Sequence, residues 1–393
     1  MILIEAVTTV IAVGLPPLPA HTGAPPPWPY KGYASFPAHF FGANETGQEP
    51  ESELALIAKH QFVGWGWQQD LDATSPTEDG HYYSEETASA QAATRLASYV
   101  AFSKANGSEA TTQGIFVYRH SMFALSWYSL QRAAYTNSAN ADFWVKGPDG
   151  KACVATPYGG PTWNFSNPGA ADFFVDEIVG ELTREADINA VFFDETDAEY
   201  CGFNVTKFCT GGTLHIPPAE LAGMYRDKIE VLRRSAAKLN AAGIWPMFSS
   251  FNELGSTRCA LPYEEYYGAL KDVGWFRFYE FFGVGHLANY LAETAAGLPV
   301  VVHDAANLGD NLALAAFLLG QGDYGYFGSS NKSAADGWTD GGWTWHAEYD
   351  AKYGEPLGPA TQGAAGWSRQ FSGCSVLLST DLKNATITMK DAN

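Results

Sequence analysis

The stretch of residues 167–197 constrains the fold more strongly than any other part of the sequence. It begins with Asn167 and Pro168, a helix start with a side-chain acceptor at the cap and proline in the first turn. Apolar side chains then recur over residues 171–182 at the spacing of one helix face. The apolar run of residues 188–193 comes next and is typical of a parallel strand buried on both faces. A helix that leads directly into such a strand predicts an α/β fold.

Three acids end this predicted strand: Asp194, Glu195 and Asp197. Carboxylates at the carboxyl end of a buried strand are costly unless water, a cation or a substrate meets them. They are therefore the first indication of a functional site. The alternative is a strand that ends in a polar turn, where the acids are solvated or cap the next helix.

Similar apolar runs are spaced along the rest of the chain. They predict further strands at residues 62–67, 114–118, 143–145, 244–251, 275–282, 300–302 and 324–328, with helices at 85–105, 218–239, 263–271, 286–295 and 311–319. Eight strands that alternate with helices predict one (β/α)8 TIM barrel, which we place at residues 31–345. Three later strand-like runs predict a small C-terminal β appendage at residues 346–393.

Residues 1–30 read as a hydrophobic leader followed by a proline-rich spacer, which predicts export of the protein. The alternative is a poorly ordered terminus or a short anchor, and no later segment is apolar enough for a membrane span. Sequons of the form N-x-S/T predict glycosylation at Asn44, Asn106, Asn204, Asn331 and Asn384. A formal charge of -20 and a pI near 4.7 argue against nucleic acid and anionic membranes as partners. We therefore expect a secreted, extracellular glycoprotein.

The sequence contains five cysteines, and two of them lie close to the acidic strand end. Cys201 and Cys209 flank a short loop there, so a disulfide between them is the first pairing to expect. The odd number leaves at least one thiol unpaired within the chain. The cysteine spacing does not form a zinc site, and the sequence has no Gly-rich phosphate loop, Ser-centred elbow or His-Glu-x-x-His helix. We therefore predict no cofactor and no metal.

Polar and aromatic side chains gather where the predicted strands end. In a TIM barrel all of these ends meet at one face, which carries the site. The chain is also rich in aromatic side chains that can stack on sugars, with 12 Trp, 20 Tyr and 24 Phe. The predicted substrate-binding residues are Trp65, Trp67, Gln68, Tyr118, Arg119, His120, Trp163, Glu195, Asp197, Asn252, Glu253, His303 and Asp304.

Two acids at these strand ends meet the needs of glycosidic bond cleavage. That reaction uses one carboxyl group to protonate the leaving oxygen and a second as the nucleophile or as the base for water. Asp194 is the candidate for the ionised partner, because neighbouring strand ends can hold it. Glu280 is the candidate for the proton donor, because its aromatic neighbours favour a protonated carboxyl group. The alternative for Glu280 is a structural acid paired with Arg277 or Arg119.

Two segments of the chain resemble a known group of proteins. Residues 167–197, NPGAADFFVDEIVGELTREADINAVFFDETD, resemble the fourth-strand region of barrel proteins grouped as hypothetical glycoside hydrolases. The tail, with YGEPLG at residues 353–358 and WSRQF at residues 367–371, is similar to the end of the same proteins, where the chain leaves the barrel. The resemblance extends over about residues 60–380. It implies a barrel with a small β segment after it.

More distant relatives imply roles for the two acids. Barrel enzymes that act on α-linked sugars, the α-galactosidase-like and endo-α-galactosaminidase-like groups, use one acid on strand four and a second on strand six. By this resemblance Asp194 and Glu280 take those places. The sequence departs from these groups before strand four, where Asn189-Ala190 stands in place of the Asp-Gly that they often carry.

Three functions are compatible with the sequence. The leading hypothesis is a secreted enzyme that cleaves a glycosidic bond in a polysaccharide or oligosaccharide, with carbohydrate as its partner. The alternative is a catalytically silent barrel that binds glycans or serves as an extracellular structural glycoprotein. The third is a metal-dependent hydrolase that uses Asp194, Asp197, His303 and Asp304. The sugar, the linkage, the stereochemical outcome and the oligomeric state are left open.

Overall fold

The structure is a computed structural model of the 393-residue chain. It describes residues 18, 20, 22–23, 31–35, 51–66, 72–76, 82–83, 88–107, 110–155, 160–196, 209, 216–249, 257–258, 261–273, 276–279, 286–304, 311–329 and 345–390. Among these residues, no helix is both long enough and apolar enough to span a membrane.

Parallel strands form the centre of the fold. Numbered in chain order, the strands are β1 (Lys31–Ser35), β2 (Phe62–Trp65), β3 (Asp72–Pro76), β4 (Tyr82–Tyr83), β5 (Gly114–His120), β6 (Val154–Ala155), β7 (Gly160–Pro161), β8 (Ala190–Asp194), β9 (Trp245–Ser249), β10 (Thr257–Arg258), β11 (Leu261–Pro262), β12 (Phe276–Tyr279), β13 (Val300–Asp304), β14 (Gly325–Ser329), β15 (Thr361–Gly363), β16 (Gly366–Gln370), β17 (Cys374–Ser379) and β18 (Ala385–Met389). Eight of them, β1, β2, β5, β8, β9, β12, β13 and β14, pair in this order and close into a barrel. All eight pairings are parallel.

At least one helix lies between each pair of consecutive barrel strands. The helices are α1 (Glu51–Ile57), α2 (Ala88–Ala105), α3 (Ser129–Thr136), α4 (Pro168–Phe173), α5 (Val179–Leu182), α6 (Pro218–Ala241), α7 (Tyr263–Leu270), α8 (Leu287–Ala295) and α9 (Leu312–Gly320). A π-helical turn, Phe174–Ile178, joins α4 to α5, and 3-10 turns lie at Ser138–Phe143 and Ala347–Asp350. This alternation confirms the predicted α/β class.

One predicted barrel strand is wrong and one barrel strand was missed. The run at 143–145 is not part of the barrel: a 3-10 turn ends at Phe143, and Trp144 forms an isolated bridge to Trp163. The missing strand is β1, whose sequence KGYAS contains no apolar run. Backbone pairing with β14 and β2 places it in the barrel, so the side chains gave no signal. The other seven predicted strands coincide with barrel strands.

Alternate side chains of the barrel strands fill its interior. The rings of Phe62, Phe116 and Tyr326, from three different strands, lie 4.8 and 5.0 Å apart between centroids. In register with them, Val301 lies beside Tyr326, and Ala190 lies beside Phe116. Residues two and four positions further along the same strands therefore also face inward. This alternation decides which side chains at the strand ends can meet.

The helix before β8 begins as the sequence predicts. Asn167 caps α4, and its side-chain oxygen accepts hydrogen bonds from the N–H groups of Gly169 at 2.8 Å and Ala170 at 3.2 Å. The predicted apolar face is buried from Ala171 to Leu182. The helix differs from the prediction only in its π-helical turn. Phe174 in that turn packs against Phe193 of β8, with ring centroids 6.3 Å apart.

A disulfide joins Cys153 to Cys209, so the predicted Cys201–Cys209 pairing is wrong. Cys201 itself lies outside the described residues. Cys153 follows β5 and Cys209 follows β8, so the bond links the loops after two adjacent barrel strands. The short spacing between Cys201 and Cys209 in the sequence favoured the wrong partner. Cys153 and Cys209 come close only because β5 and β8 pair. Among the described cysteines, Cys374 is free and buried.

The predicted strand-like runs after the barrel form β16, β17 and β18, which join β15 in an antiparallel sheet. Arg369 on β16 connects this sheet to the barrel. Its guanidinium group donates hydrogen bonds to the carbonyl oxygens of Leu318 (3.1 Å), Leu319 (3.0 Å) and Gln321 (2.7 Å) at the C-terminus of α9. A helix C-terminus exposes unpaired carbonyl groups with partial negative charge, which an arginine satisfies.

Replacing Arg369 should therefore weaken the contact between the sheet and the barrel. We expect Arg369→Met to lower the free energy of unfolding by about 2 kcal/mol, because it leaves several carbonyl groups without a donor. Urea denaturation measures this change. Arg184→Met, which removes an exposed ion pair with Glu181, is the control and should change stability by less than about 0.5 kcal/mol. Equal losses of stability in the two variants would contradict the contact between Arg369 and the C-terminus of α9.

His60 is a buried histidine at the other contact of the C-terminal segment with the barrel. Its ring meets Trp345 and Tyr349 edge to face, with centroids 5.3 and 6.3 Å apart, and Nδ1 lies 3.2 Å from the carbonyl oxygen of Ile57. Burial lowers the pKa of His60 to about 4 from its usual value of 6.5. The fold therefore holds this side chain neutral.

Acid should destabilise the protein through His60. The unfolded chain takes up a proton near pH 6.5 and the folded chain near pH 4. Stability is therefore complete above pH 6.5 and falls as the pH drops to 4, by about 3 kcal/mol from this residue. Urea denaturation across this range should show a shallower pH dependence in His60→Asn, which cannot titrate. An unchanged slope would show that His60 does not contribute.

Candidate functional site

The site is built around Asp194, the last residue of β8. Its Oδ2 accepts a hydrogen bond of 2.6 Å from the hydroxyl group of Tyr118, and its Oδ1 accepts one of 2.7 Å from the N–H group of Glu195. Both carboxylate oxygens therefore have a donor, although Asp194 is only 9% exposed. Hydrogen bonds to a carboxylate favour its charged form. The two hydrogen bonds hold the carboxyl group in one orientation.

His120 lies beside Asp194, because the two residues are in register on β5 and β8. Its Nδ1 accepts hydrogen bonds from the N–H groups of Met122 at 3.1 Å and Phe123 at 3.0 Å. Burial, together with the charge of Lys228, holds the pKa of His120 well below its usual value. The imidazole is therefore neutral.

Glu195 follows Asp194 in a left-handed backbone conformation, with φ of 55°. This conformation is unfavourable for a residue with a side chain and persists only where the surroundings impose it. The buried ammonium group of Lys228, on α6, donates a hydrogen bond to the carbonyl oxygen of Glu195. Strained backbone at a polar strand end is often part of a functional site.

The end of β9 and a tyrosine of α7 hold the segment after Glu195. The hydroxyl group of Thr196 donates to the carbonyl oxygen of Ser249, at the end of β9, and the hydroxyl group of Tyr266 lies 3.2 Å from Thr196 Oγ1. On the opposite side, Ser121 Oγ donates to the carbonyl oxygen of Asp194 at 2.5 Å. The backbone around Asp194 is thus held from both neighbouring strands.

One group of described residues has the spacing of a metal site. A ring nitrogen of His120 and carboxylate oxygens of Asp194 and Glu195 all lie within 4.8 Å of one another. A metal needs a lone pair on histidine. Nδ1 uses its lone pair to accept two backbone N–H groups, so Nε2 of the neutral ring carries the proton. This histidine therefore does not fit a metal, whichever of its nitrogens faces the acids.

The structure brings four of the predicted site residues together: Tyr118, His120, Asp194 and Glu195. His303 is the second-last residue of β13 on the same inner face, two residues after Val301, and is buried. The other described candidates do not contribute their side chains to this group.

Three predicted substrate-binding residues lie elsewhere. Trp65 and Arg119 are buried on the outer face of their strands, and the guanidinium group of Arg119 lies 5.1 Å from the ring centroid of Tyr128. Trp163 is buried in an aromatic cluster with Trp144 and neighbouring phenylalanines. Trp65 and Arg119 do not reach the group around Asp194, because side chains at a strand end face the barrel interior only at alternate positions. Trp163 lies outside the barrel strands, where it bridges Trp144.

The remaining predicted residues cannot be placed. Trp67, Gln68, Asp197, Asn252, Glu253, Glu280 and the sequons Asn44, Asn204 and Asn331 lie outside the described residues, as does the side chain of Asp304. The other two sequons, Asn106 and Asn384, lie on exposed positions.

Sequence reasoning missed the contribution of Lys228. It lies three positions after Tyr225 and four before Leu232, on the predicted apolar face of α6. A lysine in such a position is either buried or disturbs the helix packing, and this signal was available in the sequence. Thr196 and Ser249 had no such signal, because short hydroxyl side chains are common at strand ends.

The C-terminal part of the chain matches a known family. The family model described as hypothetical glycosyl hydrolase family 15 matches residues 302–375. This match confirms the resemblance to hypothetical glycoside hydrolases. The matched segment includes α9, β14, β15 and β16. No curated protein matches the sequence.

The chain has a low similarity to three solved structures of proteins named for carbohydrates or their enzymes. Ega3 from Aspergillus fumigatus, in complex with galactosamine, is 10% identical, with 73% of this chain and 83% of that chain covered and a TM-score of 0.36. The α-N-acetylgalactosaminidase NagBb from Bifidobacterium bifidum is 12% identical, with coverages of 92% and 57% and a TM-score of 0.43. A GH31 dextranase from Flavobacterium johnsoniae is 9% identical, with coverages of 84% and 39% and a TM-score of 0.42.

Removing the hydroxyl group of Tyr118 should destabilise the fold. In Tyr118→Phe, Oδ2 of a buried carboxylate loses its donor, and we expect the free energy of unfolding to fall by about 1–3 kcal/mol. Tyr135→Phe on α3, where the side chain is partly exposed, is the matched control and should have almost no effect. Urea denaturation compares the two variants. Similar stability of both would contradict the hydrogen bond to Asp194.

Proposed function

We propose that the protein is a secreted glycoside hydrolase that cleaves an O-glycosidic bond in an oligosaccharide or polysaccharide. Asp194 is the ionised carboxylate, acting as nucleophile or as base for water, and Glu280 is the proton donor. Both act at the C-terminal face of a (β/α)8 barrel formed by residues 31–345, with residues 346–393 as an appended β segment.

The geometry of Asp194 is the observation that carries this proposal. The carboxylate ends a barrel strand on its inner face, and hydrogen bonds from Tyr118 and from the backbone of Glu195 hold both of its oxygens. A nucleophile or base must be charged and fixed in orientation before the substrate arrives. A purely structural acid has no need of a position at this face.

The second acid must lie further from Asp194 than Glu195 does. Paired carboxyl groups are about 5–5.5 Å apart in retaining glycosidases and about 6.5–9.5 Å apart in inverting ones. Oxygens of Asp194 and Glu195 lie within 4.8 Å, and the two residues are adjacent in sequence. Glu195 is therefore a poor candidate for the acid on the opposite side of a sugar, which favours Glu280.

The structural alternative for Glu280 is an ion pair with Arg277 or Arg119. Arg277 is fully buried and pairs with Glu293, with Nε and Oε1 3.4 Å apart, but its Nη1 and Nη2 have no hydrogen-bond partner among the described residues. The guanidinium group of Arg119 lies over Tyr128 and donates to the carbonyl oxygen of Tyr118 at 2.6 Å. An ion pair with Arg277 therefore stays the alternative to a chemical role for Glu280.

Two observations support secretion. A disulfide between Cys153 and Cys209 is typical of oxidising compartments. The described sequons Asn106 and Asn384 are exposed, as glycosylation requires. We therefore place the protein outside the cell, as a glycoprotein whose partner is a carbohydrate.

Separate replacement of the two acids tests the function. The wild type is assayed on a panel of p-nitrophenyl α- and β-glycosides and on release of reducing ends from polysaccharides. We expect Asp194→Asn and Glu280→Gln each to lower kcat by about 10²- to 10⁴-fold while the fold is retained. Asp176→Asn and Glu264→Gln, which change acids on other helices, are the matched controls and should keep full activity.

The outcomes separate the competing functions. Near-normal hydrolysis rates in both Asp194→Asn and Glu280→Gln would contradict the catalytic roles assigned to these two acids. A wild type that binds glycans but never hydrolyses them would support the catalytically silent alternative. Activity lost on dialysis against a chelator and regained with a divalent cation would support the metal-dependent alternative.

A further inference from the structure

The helix α2 ends at the asparagine of a sequon. Asn106 follows the last helical residue, Ala105, and Gly107 then adopts the left-handed conformation, with φ of 76°. The side-chain Nδ2 of Asn106 donates a hydrogen bond of 2.8 Å to the carbonyl oxygen of Phe102. The nitrogen atom to which a glycan is attached therefore lies over the last turn of the helix.

Phe102 lies one helical turn before Asn106 and exposes its ring. The residue is 65% exposed, and the neighbouring side chains of Ala101 and Ala105 are too short to cover a phenyl ring. Residues four positions apart are neighbours on a helix surface, and helix side chains lean toward the N-terminus. The side chain of Asn106 therefore leans toward the ring. A single exposed apolar side chain needs no explanation, but this one lies beside a sequon.

The sequon lies at the end of the barrel opposite to Asp194. After α2, the N–H groups of Thr111 and Thr112 donate to the carbonyl oxygen of Ala58, which precedes β2. This segment is therefore at the N-terminal ends of the strands. From there β5 runs over seven residues, or about 20 Å, to the end that carries the candidate site. A glycan on Asn106 leaves that site open.

The first sugar of an N-linked glycan can pack on an aromatic ring. During glycosylation, Nδ2 of the sequon asparagine forms a bond to C1 of N-acetylglucosamine, the bond between C1 and the diphosphate of a lipid-linked oligosaccharide donor breaks, and Nδ2 loses one proton. The C–H bonds on one face of this sugar form an apolar surface that fits the face of a phenyl ring. A ring one helical turn before the asparagine is in the right place for this contact.

We propose that Phe102 and Asn106 form a glycan-binding pair, in which the first N-acetylglucosamine attached to Asn106 stacks on the ring of Phe102. The contact covers an apolar side chain that the polypeptide leaves in water, and it holds the glycan against the end of α2. The inference rests on the secretion that is part of the proposed function, and it is independent of the hydrolase activity.

Two substitutions separate the ring from the glycan. Ser108→Ala removes the hydroxyl residue of the sequon and therefore the glycan, but it keeps Asn106. Phe102→Ala removes the ring and keeps the sequon. The wild type, the two single variants and the double variant are secreted by a eukaryotic host from chains that carry the host's signal peptide. Peptide mass spectrometry measures the occupancy of Asn106.

Thermal unfolding of these proteins gives the first readout. In the glycosylated chain we expect Phe102→Ala to lower the melting temperature by about 1–3 °C, because the stacking contact is lost. In the Ser108→Ala background the same change should be neutral or slightly stabilising, because alanine favours a helix more than phenylalanine does. Equal effects of Phe102→Ala in the two backgrounds would overturn the proposal.

The other exposed sequon of the described chain, Asn384, provides the matched control. It precedes β18 in the C-terminal sheet, away from α2. In an Asn384→Gln background, Phe102→Ala should cause the same loss of melting temperature as in the wild type. If Asn384→Gln abolished the loss as Ser108→Ala does, the effect would belong to glycosylation in general, and the pairing of Phe102 with Asn106 would be overturned.

NMR of the attached sugar gives a second readout that does not depend on stability. Endoglycosidase H trims high-mannose glycans to a single N-acetylglucosamine, whose signals at Asn106 are assigned by their absence in Ser108→Ala. We expect the ring current of Phe102 to shift these proton signals upfield, and Phe102→Ala should return them to the positions of the sugar on Asn384. Unshifted signals in the wild type would overturn the stacking contact.

Failure of this inference and failure of the proposed reaction give different results. All variants should keep the wild-type kcat on any glycoside that the protein hydrolyses, because the pair lies at the other end of the barrel. A wild type that hydrolyses no glycoside would contradict the proposed reaction, whereas the melting temperatures and the sugar signals would still report the stacking. An Asn106 without a glycan in the secreted chain would overturn the inference whatever the activity.

Discussion

A carboxylate that faces the inside of a barrel must be met by hydrogen-bond donors, and the end of β8 is built around that constraint. Tyr118 on the preceding strand and the N–H group of Glu195 meet the two oxygens of Asp194. The N–H group of Glu195 belongs to a left-handed turn at this residue, and Lys228 donates a hydrogen bond to the carbonyl oxygen of Glu195. The buried carboxylate of Asp194 is thus held by Tyr118 and by the strained turn at Glu195, and Lys228 in turn holds that turn.

Much of this arrangement follows from the sequence, and the exceptions have physical causes. Apolar runs predicted seven barrel strands because burial on both faces leaves a compositional signal. The strand Lys31–Ser35 leaves none, since backbone pairing alone determines its place. Among the strand-end residues, Tyr118 and His120 lie next to Asp194, but Arg119 between them faces outward. Composition marks a strand end, whereas the register of pairing decides which side chain reaches the site.

The C-terminal sheet is joined to the barrel by polar contacts as well as by apolar packing. Arg369 satisfies the end of α9, and Tyr33 of β1 stacks on Tyr349 with ring centroids 3.9 Å apart. The segment that matches the family model, residues 302–375, contains both Arg369 and α9. The matched segment is therefore a structural joint between the two parts, whereas Asp194 and its partners lie outside it.

The disulfide between Cys153 and Cys209 has a consequence for how the protein is produced. It connects two loops that follow adjacent strands of the barrel, and it leaves the strands themselves unlinked. In the reducing cytosol of an expression host the two loops would lack this covalent bond. If protein from the cytosol is soluble but inactive, the missing disulfide between these two loops would explain it. An oxidising host is therefore the appropriate source of the protein.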